Sequence, residues 1–357
     1  MNVTVIRARD LTAHHVREWD RIQQASPDLA SPYFCPEFTA AVATVRTDVR
    51  LAVLRDGDRI VGFFPFQRNW LGIGKPVGGP LSDYHGLIIE PGTEVNVRAL
   101  LRACGLVVWD FNHLVASQKA FEPYRKATDE SPYMDLSRGY ESYVAERRDA
   151  GTREITEALR KRRKLEREVG PVRFEAEVAD PRVLAELAKW KSQQYIGSGL
   201  VNVFGFGWTL RLLERIHRMQ GPGFAGVLSA LYAGDVLLAA HMGMRSRTVW
   251  HYWFPAYGQE FARYSPGLIL LLDMAQYAPT LGIRAIDLGK GDSRYKRSLM
   301  SGAVPLMEGS AQRPSLVARL RKLADQTEAF VRRTPLAVPA RVPGRLLLRI
   351  KRRLRFR

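Results

Sequence analysis

Apolar positions along the chain alternate, then recur at helical spacing, and then do both again. Val3–Ala8 alternates like a strand, and His14–Ala25 and Pro36–Val45 have helical spacing. Val49–Arg55 and Arg59–Gln67 flank Asp56-Gly57-Asp58, a strong hairpin signal. Gly72–Pro80 is loop by composition, Leu87–Glu90 a strand, Thr93–Cys104 a helix stopped by Gly105, and Leu106–Phe111 and Pro132–Leu136 further strands. After Gly170-Pro171 the pattern restarts with a strand at Val172–Val178 and helices at Pro181–Ile196 and Trp208–Met219. Three strands follow at Phe224–Tyr232, Val236–Met244 and Thr248–Phe254. Ser265-Pro266-Gly267 opens a helix through Tyr277, Ala285–Gly289 is a short buried strand, and Ala303–Glu308 an edge strand.

Both halves thus read strand, helix, helix, antiparallel strands, helix, strand. That order predicts a duplicated α+β, or mixed α/β, layer fold. The predicted division is 1–150, a charged linker helix over 151–169, a second domain over 170–310, and a tail over 311–357. The linker carries Arg160-Lys161-Arg162-Arg163-Lys164, which reads first as a solvated helix face. Leu159 and Leu165 would anchor it and leave several cations for an anionic ligand.

Charge changes the picture at one place. The net charge is +18, and the tail, with 14 Lys/Arg and 2 Asp/Glu, holds +12 of it. The high isoelectric point is therefore no nucleic-acid footprint over the whole protein. Arg345–Arg357 mixes cations with Leu, Ile and Phe, a composition suited to an anionic membrane surface that it does not cross. Arg7, Arg9 and Asp10 argue against a signal peptide, and no apolar run reaches spanning length. Cys35 and Cys104 offer neither a disulfide framework nor a metal spacing, which fits a reducing cytoplasm. No metal is expected, and neither a Walker phosphate loop nor a Gly-x-Ser-x-Gly elbow occurs.

Candidate chemistry gathers between Gln259 and Ser298. Ser265 is a favoured N-cap and Pro266 suits the first helical position, so free amides and the helix dipole make an anion site beside Arg263. The strand at 285–289 delivers Lys290, Asp292, Arg294, Tyr295 and Lys296 into one loop. His241 and His251 lie on apolar strands, where a histidine is more often a satisfied core residue than a base. Asp83, Tyr84 and His85 follow a Gly/Pro loop and are candidates for a cleft.

These residues resemble a known family. ALRKRRKLE at 158–166, LLAAHMGMR at 237–245, ARYSPGLILLL at 262–272 and AIDLGKGDSRYKRSL at 285–299 resemble the GNAT acyltransferase fold. The branch they resemble is FemAB-like and includes the CelD-type proteins of bacterial cellulose and exopolysaccharide synthesis. SPYFCPEF at 31–38 and PLSDYHGLI at 80–88 extend the likeness to the N-terminal half, so that it covers about residues 3–310 as tandem GNAT-like domains. The resemblance implies an acyl-CoA co-substrate between two splayed strands, its pyrophosphate on Arg263, Ser265, Gly267 and Leu268. It implies catalytic roles for Asp292 (orienting or deprotonating the acceptor amine), Tyr295 (protonating the thiolate) and His241. Lys296, Asp83 and Tyr84 would bind an amine acceptor on a sugar or lipid-linked precursor. The usual GNAT loop is Arg/Gln-x-x-Gly-x-Gly/Ala, whereas this chain has Arg263-Tyr-Ser-Pro-Gly; that departure suits a donor such as an acyl-carrier protein or aminoacyl-tRNA. Two alternatives stand beside the acyltransferase: an aminoacyl-tRNA-dependent transferase, the one reading with a nucleic-acid partner, and a silent scaffold of a membrane polysaccharide synthase. The expected location is cytoplasmic, at the inner face of the membrane if the tail docks there.

Overall fold

The computed structural model describes residues 1–315; the expectations for the tail beyond them, its amphipathic helix and membrane-docking segment, lie outside the described residues. The chain forms two compact units. Unit 1 holds Met1–Ala25, Val42–Thr128 and the stretch from Met307, and unit 2 holds Ser26–Ala41 and Asp129–Leu306.

Unit 1 contains β1 (Asn2–Arg7), α1 (Ala13–Gln24), β2 (Val49–Asp56), β3 (Arg59–Arg68), β4 (Ile73–Lys75), β5 (Ile88–Ile89), α2 (Val97–Ala103) and β6 (Val108–Val115). The strand order is β1-β2-β3-β4-β6, antiparallel up to the parallel pair β4 and β6. Gly57, at φ 58°, makes the β2–β3 turn. Thr12 caps α1, and the α2 start is Asn96, whose side chain accepts the Ala99 amide. Phe64, Trp109, Phe111 and Phe121 pack edge-on or tilted against one another in the unit 1 core.

Unit 2 contains α3 (Tyr140–Asp149), α4 (Glu154–Glu168), β8 (Val172–Glu175), α5 (Pro181–Gly197), α6 (Gly207–His217), β9 (Ala225–Ala233), β10 (Val236–Arg245) and β11 (Val249–Tyr257). It ends with α7 (Pro266–Tyr277), β12 (Ala285–Asp287) and the short α8 (Arg294–Leu299). Its order is β8-β9-β10-β11-β12, again antiparallel up to a parallel pair, β11 and β12. Each unit therefore repeats the same strand order and places a helix between the members of its parallel pair. The fold is mixed α/β, as the repeated element order predicts.

Two strands change unit along their length, and this separates the observed units from the expected division at 150. Between β6 and α3 runs β7 (Arg125–Asp135); its residues from Asp129 belong to unit 2, where it pairs antiparallel with β12. After α8 runs β13 (Gly302–Gln312); its residues from Met307 belong to unit 1, where Ser310 Oγ donates to Asp110 at 2.7 Å. Residues 26–41 also leave the N-terminal unit, and Tyr33 and Phe38 pack edge-on against Trp253.

The charged helix is no linker either. α4 belongs to unit 2 and buries Ile155, Ala158 and Leu165, whereas Leu159 is exposed. Burying positions three, seven and ten residues apart fixes one face of the helix. Arg162 then grips Asp273 of α7 through bonds of 2.6 and 2.7 Å. Among the described residues no helix is long and apolar enough to cross a membrane.

Candidate active site

β11 and β12 run side by side for three residues, Val249–Ala285, Trp250–Ile286 and His251–Asp287; β12 ends there, while β11 runs on to Tyr257. A buried polar knot closes the last pair. Asp287 Oδ1 accepts from Ser131 Oγ (2.9 Å), from the Gly289 amide (2.7 Å) and from His251 Nδ1 (3.1 Å). A carboxylate that accepts three bonds places the shared proton on Nδ1 of the histidine. His251 is wholly buried, with the Tyr33 ring edge-on at 5.0 Å. Asp287 thus ties β7, β11 and the loop after β12 to one oxygen, where an apolar residue would remove the acceptor that three donors share.

α7 starts beside β11, and its start differs from the sequence expectation. Ser265 precedes the helix in the left-handed region (φ 54°, ψ 52°), and its hydroxyl caps no amide. The hydroxyl accepts instead from Lys161 Nζ of α4, at 2.8 Å. The Leu268 and Ile269 amides bond the Ser265 carbonyl, and Pro266 has no N–H, so Gly267 carries the open amide of this first turn. Arg263 is exposed; it donates to Tyr264 Oη, and Tyr264 donates on to Glu168 of α4. The positive end of α7 is therefore flanked by Lys161 and Arg263, a setting that favours phosphate. The expected four-residue cradle reduces to the Gly267 amide and two side chains, and Leu268 turns into the core of unit 2.

His241 stands beside a β-bulge. The β10–β11 register shifts between Met242 and Met244, and His241 Nε2 accepts the Trp253 amide at 3.1 Å. A Cβ on Gly243 would stand 2.4 Å from the His251 carbonyl oxygen, so only glycine allows the strands to approach here. The His241 ring is fully buried, stacked on Tyr252 at 4.6 Å, and its Nδ1 has no partner among the described residues. Burial first, and then the neighbouring His251, push its pKa well below the ordinary histidine value.

Tyr295 lies on α8, a helix where the sequence pattern predicts only loop, and packs against the unit 2 core. Burial raises its phenol pKa, so it holds its proton at neutral pH. Tyr252 Oη donates to the Gly267 carbonyl at 3.3 Å, and Tyr252 and Tyr295 are near enough to couple electrostatically. Lys296 Nζ donates to the carbonyls of Gly289 (2.9 Å) and Lys290 (3.0 Å), clamping the loop that follows β12.

The structure brings His241, Gly267 and Tyr295 together around Tyr252, with Lys296 adjacent to Tyr295 in the chain. It does not bring Asp292, whose exposed side chain pairs with Arg297 at 3.1 Å on the outer side of the loop. Asp83 and Tyr84 belong to unit 1. Asp83 lies 3.8 Å from His113 Nε2, and Tyr84 is buried. Sequence reasoning missed Ser131, Asp287, Lys161 and Tyr252 as members of the site. The signal for Asp287 was a charge inside the apolar word Ala285-Ile286-Asp287-Leu288, and that for Lys161 was the basic run already noted.

Residues 153–297 match the family model described as an acetyltransferase (GNAT) domain. No curated protein matches the chain. Among solved structures it is similar to FemX, with 10% identity, 87% of this chain and 96% of that one covered, and a TM-score of 0.57. It is similar to the C-terminal domain of a protein named as a lysylphosphatidylglycerol synthetase from Agrobacterium fabrum (11% identity, 88% and 96% covered, TM-score 0.53). A third similar structure is a tandem GNAT protein from the clavulanic acid biosynthesis pathway (10%, 88% and 99%, TM-score 0.51). At these identities the likeness is one of fold. The parallel strands, the positive helix start and the half-buried phenol all lie inside the matched segment. Residues 153–297 are thus similar to an acetyltransferase (GNAT) domain, a match that supports an acyltransferase.

Proposed function

We propose that unit 2 transfers an acyl group, acetyl in the simplest case, from an acyl-CoA-type thioester to an amine on a sugar or lipid-linked precursor of cell-envelope polysaccharide. The observation that carries this reading is the α7 start beside β11, which runs on past the end of β12. There Lys161, Arg263 and the Gly267 amide offer a polyphosphate three positive partners. The gap beyond His251 and Asp287 gives a pantetheine-like arm a course between the two strands. Tyr295 supplies the proton that a departing thiolate needs, and its raised pKa keeps that proton available at neutral pH. The amine enters as a neutral nucleophile; its C–N bond forms as the C–S bond breaks, and the proton it sheds passes through water back to the Tyr295 phenolate. His241, buried and bonded to a backbone amide, acts here as a support for Tyr252 and the bulge rather than as its base.

Calorimetry with acetyl-CoA tests the reading: binding near one equivalent per chain supports it, and absence of binding sinks it. The departure of Arg263-Tyr-Ser-Pro-Gly from the usual GNAT phosphate loop favours an aminoacyl-tRNA donor as a second reading. Charged tRNA in the same experiment separates the two.

A further inference from the structure

β3 and β4 are joined by the turn Asn69-Trp70-Leu71-Gly72, and the tip of that turn is apolar. Trp70 is 89% exposed and Leu71 40%, whereas every other tryptophan of the chain is buried or half-buried. The turn itself is firmly held. Asn69 Oδ1 accepts the Leu71 and Ile73 amides at 3.0 and 2.9 Å, and the Asn69 amide donates to the Ile73 carbonyl at 3.1 Å. Gly72 closes the turn at φ 72°, and its carbonyl accepts the Val107 amide at 2.8 Å, which fastens the turn to the chain just before β6. A single apolar side chain in water needs no explanation. Two adjacent ones, the larger an indole, fixed at the tip of a braced turn, forgo burial that the fold could have given them.

The surroundings of the tip are basic. Arg68 ends β3 and donates to the Cys104 carbonyl at 2.8 Å, and the exposed Arg102 lies two residues earlier, in the last turn of α2. The Val107 carbonyl accepts the Arg313 amide at 2.9 Å. Val107 thus bonds the turn on one side and Arg313 on the other, so the two stand at one end of the unit 1 sheet, about 10 Å or two strand spacings apart. Arg68, Arg102 and Arg313 have no ion pair among the described residues. The Asp48 carboxylate, on the strand beside Arg68, is held by Arg46 at 3.2 Å and Gln67 at 2.8 Å. From Arg313 the sequence runs on into the tail, whose 14 Lys/Arg stand against 2 Asp/Glu.

We propose that the Trp70–Leu71 tip is an interfacial anchor that docks unit 1 on an anionic lipid surface, with Arg68, Arg102 and Arg313 against the headgroups. Tryptophan suits the depth at which headgroups meet acyl chains, because its ring is apolar and its N–H stays hydrated. Arginines around it add attraction to anionic lipid. The tip is a folded contact, separate from the tail, at the end of the sheet from which the tail departs. One weak signal gives marginal, reversible binding to a membrane, and two acting together give stable attachment. The anchor is independent of the acyl-transfer reading above.

The test is co-sedimentation of the full-length chain with vesicles of phosphatidylcholine alone or of phosphatidylcholine mixed with phosphatidylglycerol. Wild type should bind the mixed vesicles more tightly, and Trp70→Ser should bind them about tenfold more weakly, the scale of returning one large apolar side chain to water. Because position 70 is exposed, the unfolding midpoint of the variant should match that of wild type. Trp70→Phe keeps an apolar tip and should keep most of the binding. Lipids brominated in their acyl chains then report insertion: bound wild type should lose tryptophan emission, and bound Trp70→Phe should lose much less. Binding of Trp70→Ser equal to wild type, or unquenched emission from bound wild type, overturns the proposal and leaves any docking to the tail. Equal binding to both kinds of vesicle overturns it too, since the arginines would then play no part. Failure of wild type to bind either vesicle overturns it and turns the tip toward a protein partner.

Discussion

His241 lies flat on Tyr252, 16° from parallel, while its Nε2 holds the Trp253 amide. That pairing needs a neutral ring, because a doubly protonated imidazole cannot accept. Its pKa is depressed in the folded chain and near 6.5 in the unfolded one. Below pH 6.5 the unfolded state therefore takes up a proton that the folded state refuses. The contribution is complete above that pH and is lost below it at up to about 1.4 kcal/mol per unit. Urea unfolding at about pH 7.5 and about pH 5.5 checks this: His241→Gln should narrow the stability difference by about 1 kcal/mol. An equal difference in both proteins would show that His241 does not titrate on unfolding.

Gly243 leaves room for the same bulge. Its missing Cβ would meet the backbone oxygen of His251 at 2.4 Å and His241 Cε1 at 2.5 Å, and the carbonyl cannot yield without moving β11. Gly243→Ala should cost about 2–3 kcal/mol, the scale of overpacking a tight interior. Equilibrium denaturation measures it; a loss below about 0.5 kcal/mol, within the range of neutral substitutions, would mean that the strands separate easily.

Asp287 holds three donors on one oxygen. Asp287→Ala removes the shared acceptor of Ser131, His251 and the Gly289 amide in a buried place, for a loss of about 3 kcal/mol or more. The Gly289 amide starts the loop that Lys296 clamps, so acetyl transfer should fall further than stability alone explains. Activity measured well below the unfolding midpoint separates the two effects. Full activity there would leave Asp287 a role in stability only.

The paired strand orders were legible because alternation and helical spacing are local. The hairpin at Gly57 and the α7 start at Pro266 needed only turn chemistry and a proline. The division at 150 was not legible. Nothing in Arg125–Asp135 says that the strand begins in one unit and ends in the other; that is decided by which strand it pairs with. Asp292 has the chemistry of a base, yet at the turn into α8 it is exposed and pairs with Arg297. Ser265 was read as a cap from its residue type, yet its left-handed backbone aims the hydroxyl at Lys161, 104 positions away.

Tyr295 and Lys161 divide the proposed reaction between them, and kinetics can tell them apart. Tyr295 acts when the thiolate leaves, so Tyr295→Phe removes an interaction made only in the transition state. With acetyl-CoA and an accepted amine, kcat should fall about 100-fold, the lower end for a lost general acid, with KM for acetyl-CoA nearly unchanged. Because burial raises the phenol pKa, the wild-type rate should show no loss of this acid below pH 10, the ordinary tyrosine value. Lys161 touches no reacting atom. Its ammonium, fixed on Ser265 by the grip of Arg162 on Asp273, meets the donor's phosphates before and during the reaction alike. Lys161→Ala should therefore raise KM for acetyl-CoA about tenfold, the worth of one charged hydrogen bond, and leave kcat nearly unchanged. The inverse pattern, with Lys161 setting kcat and Tyr295 setting KM, would place the thioester at the other end of the gap and exchange the two assignments.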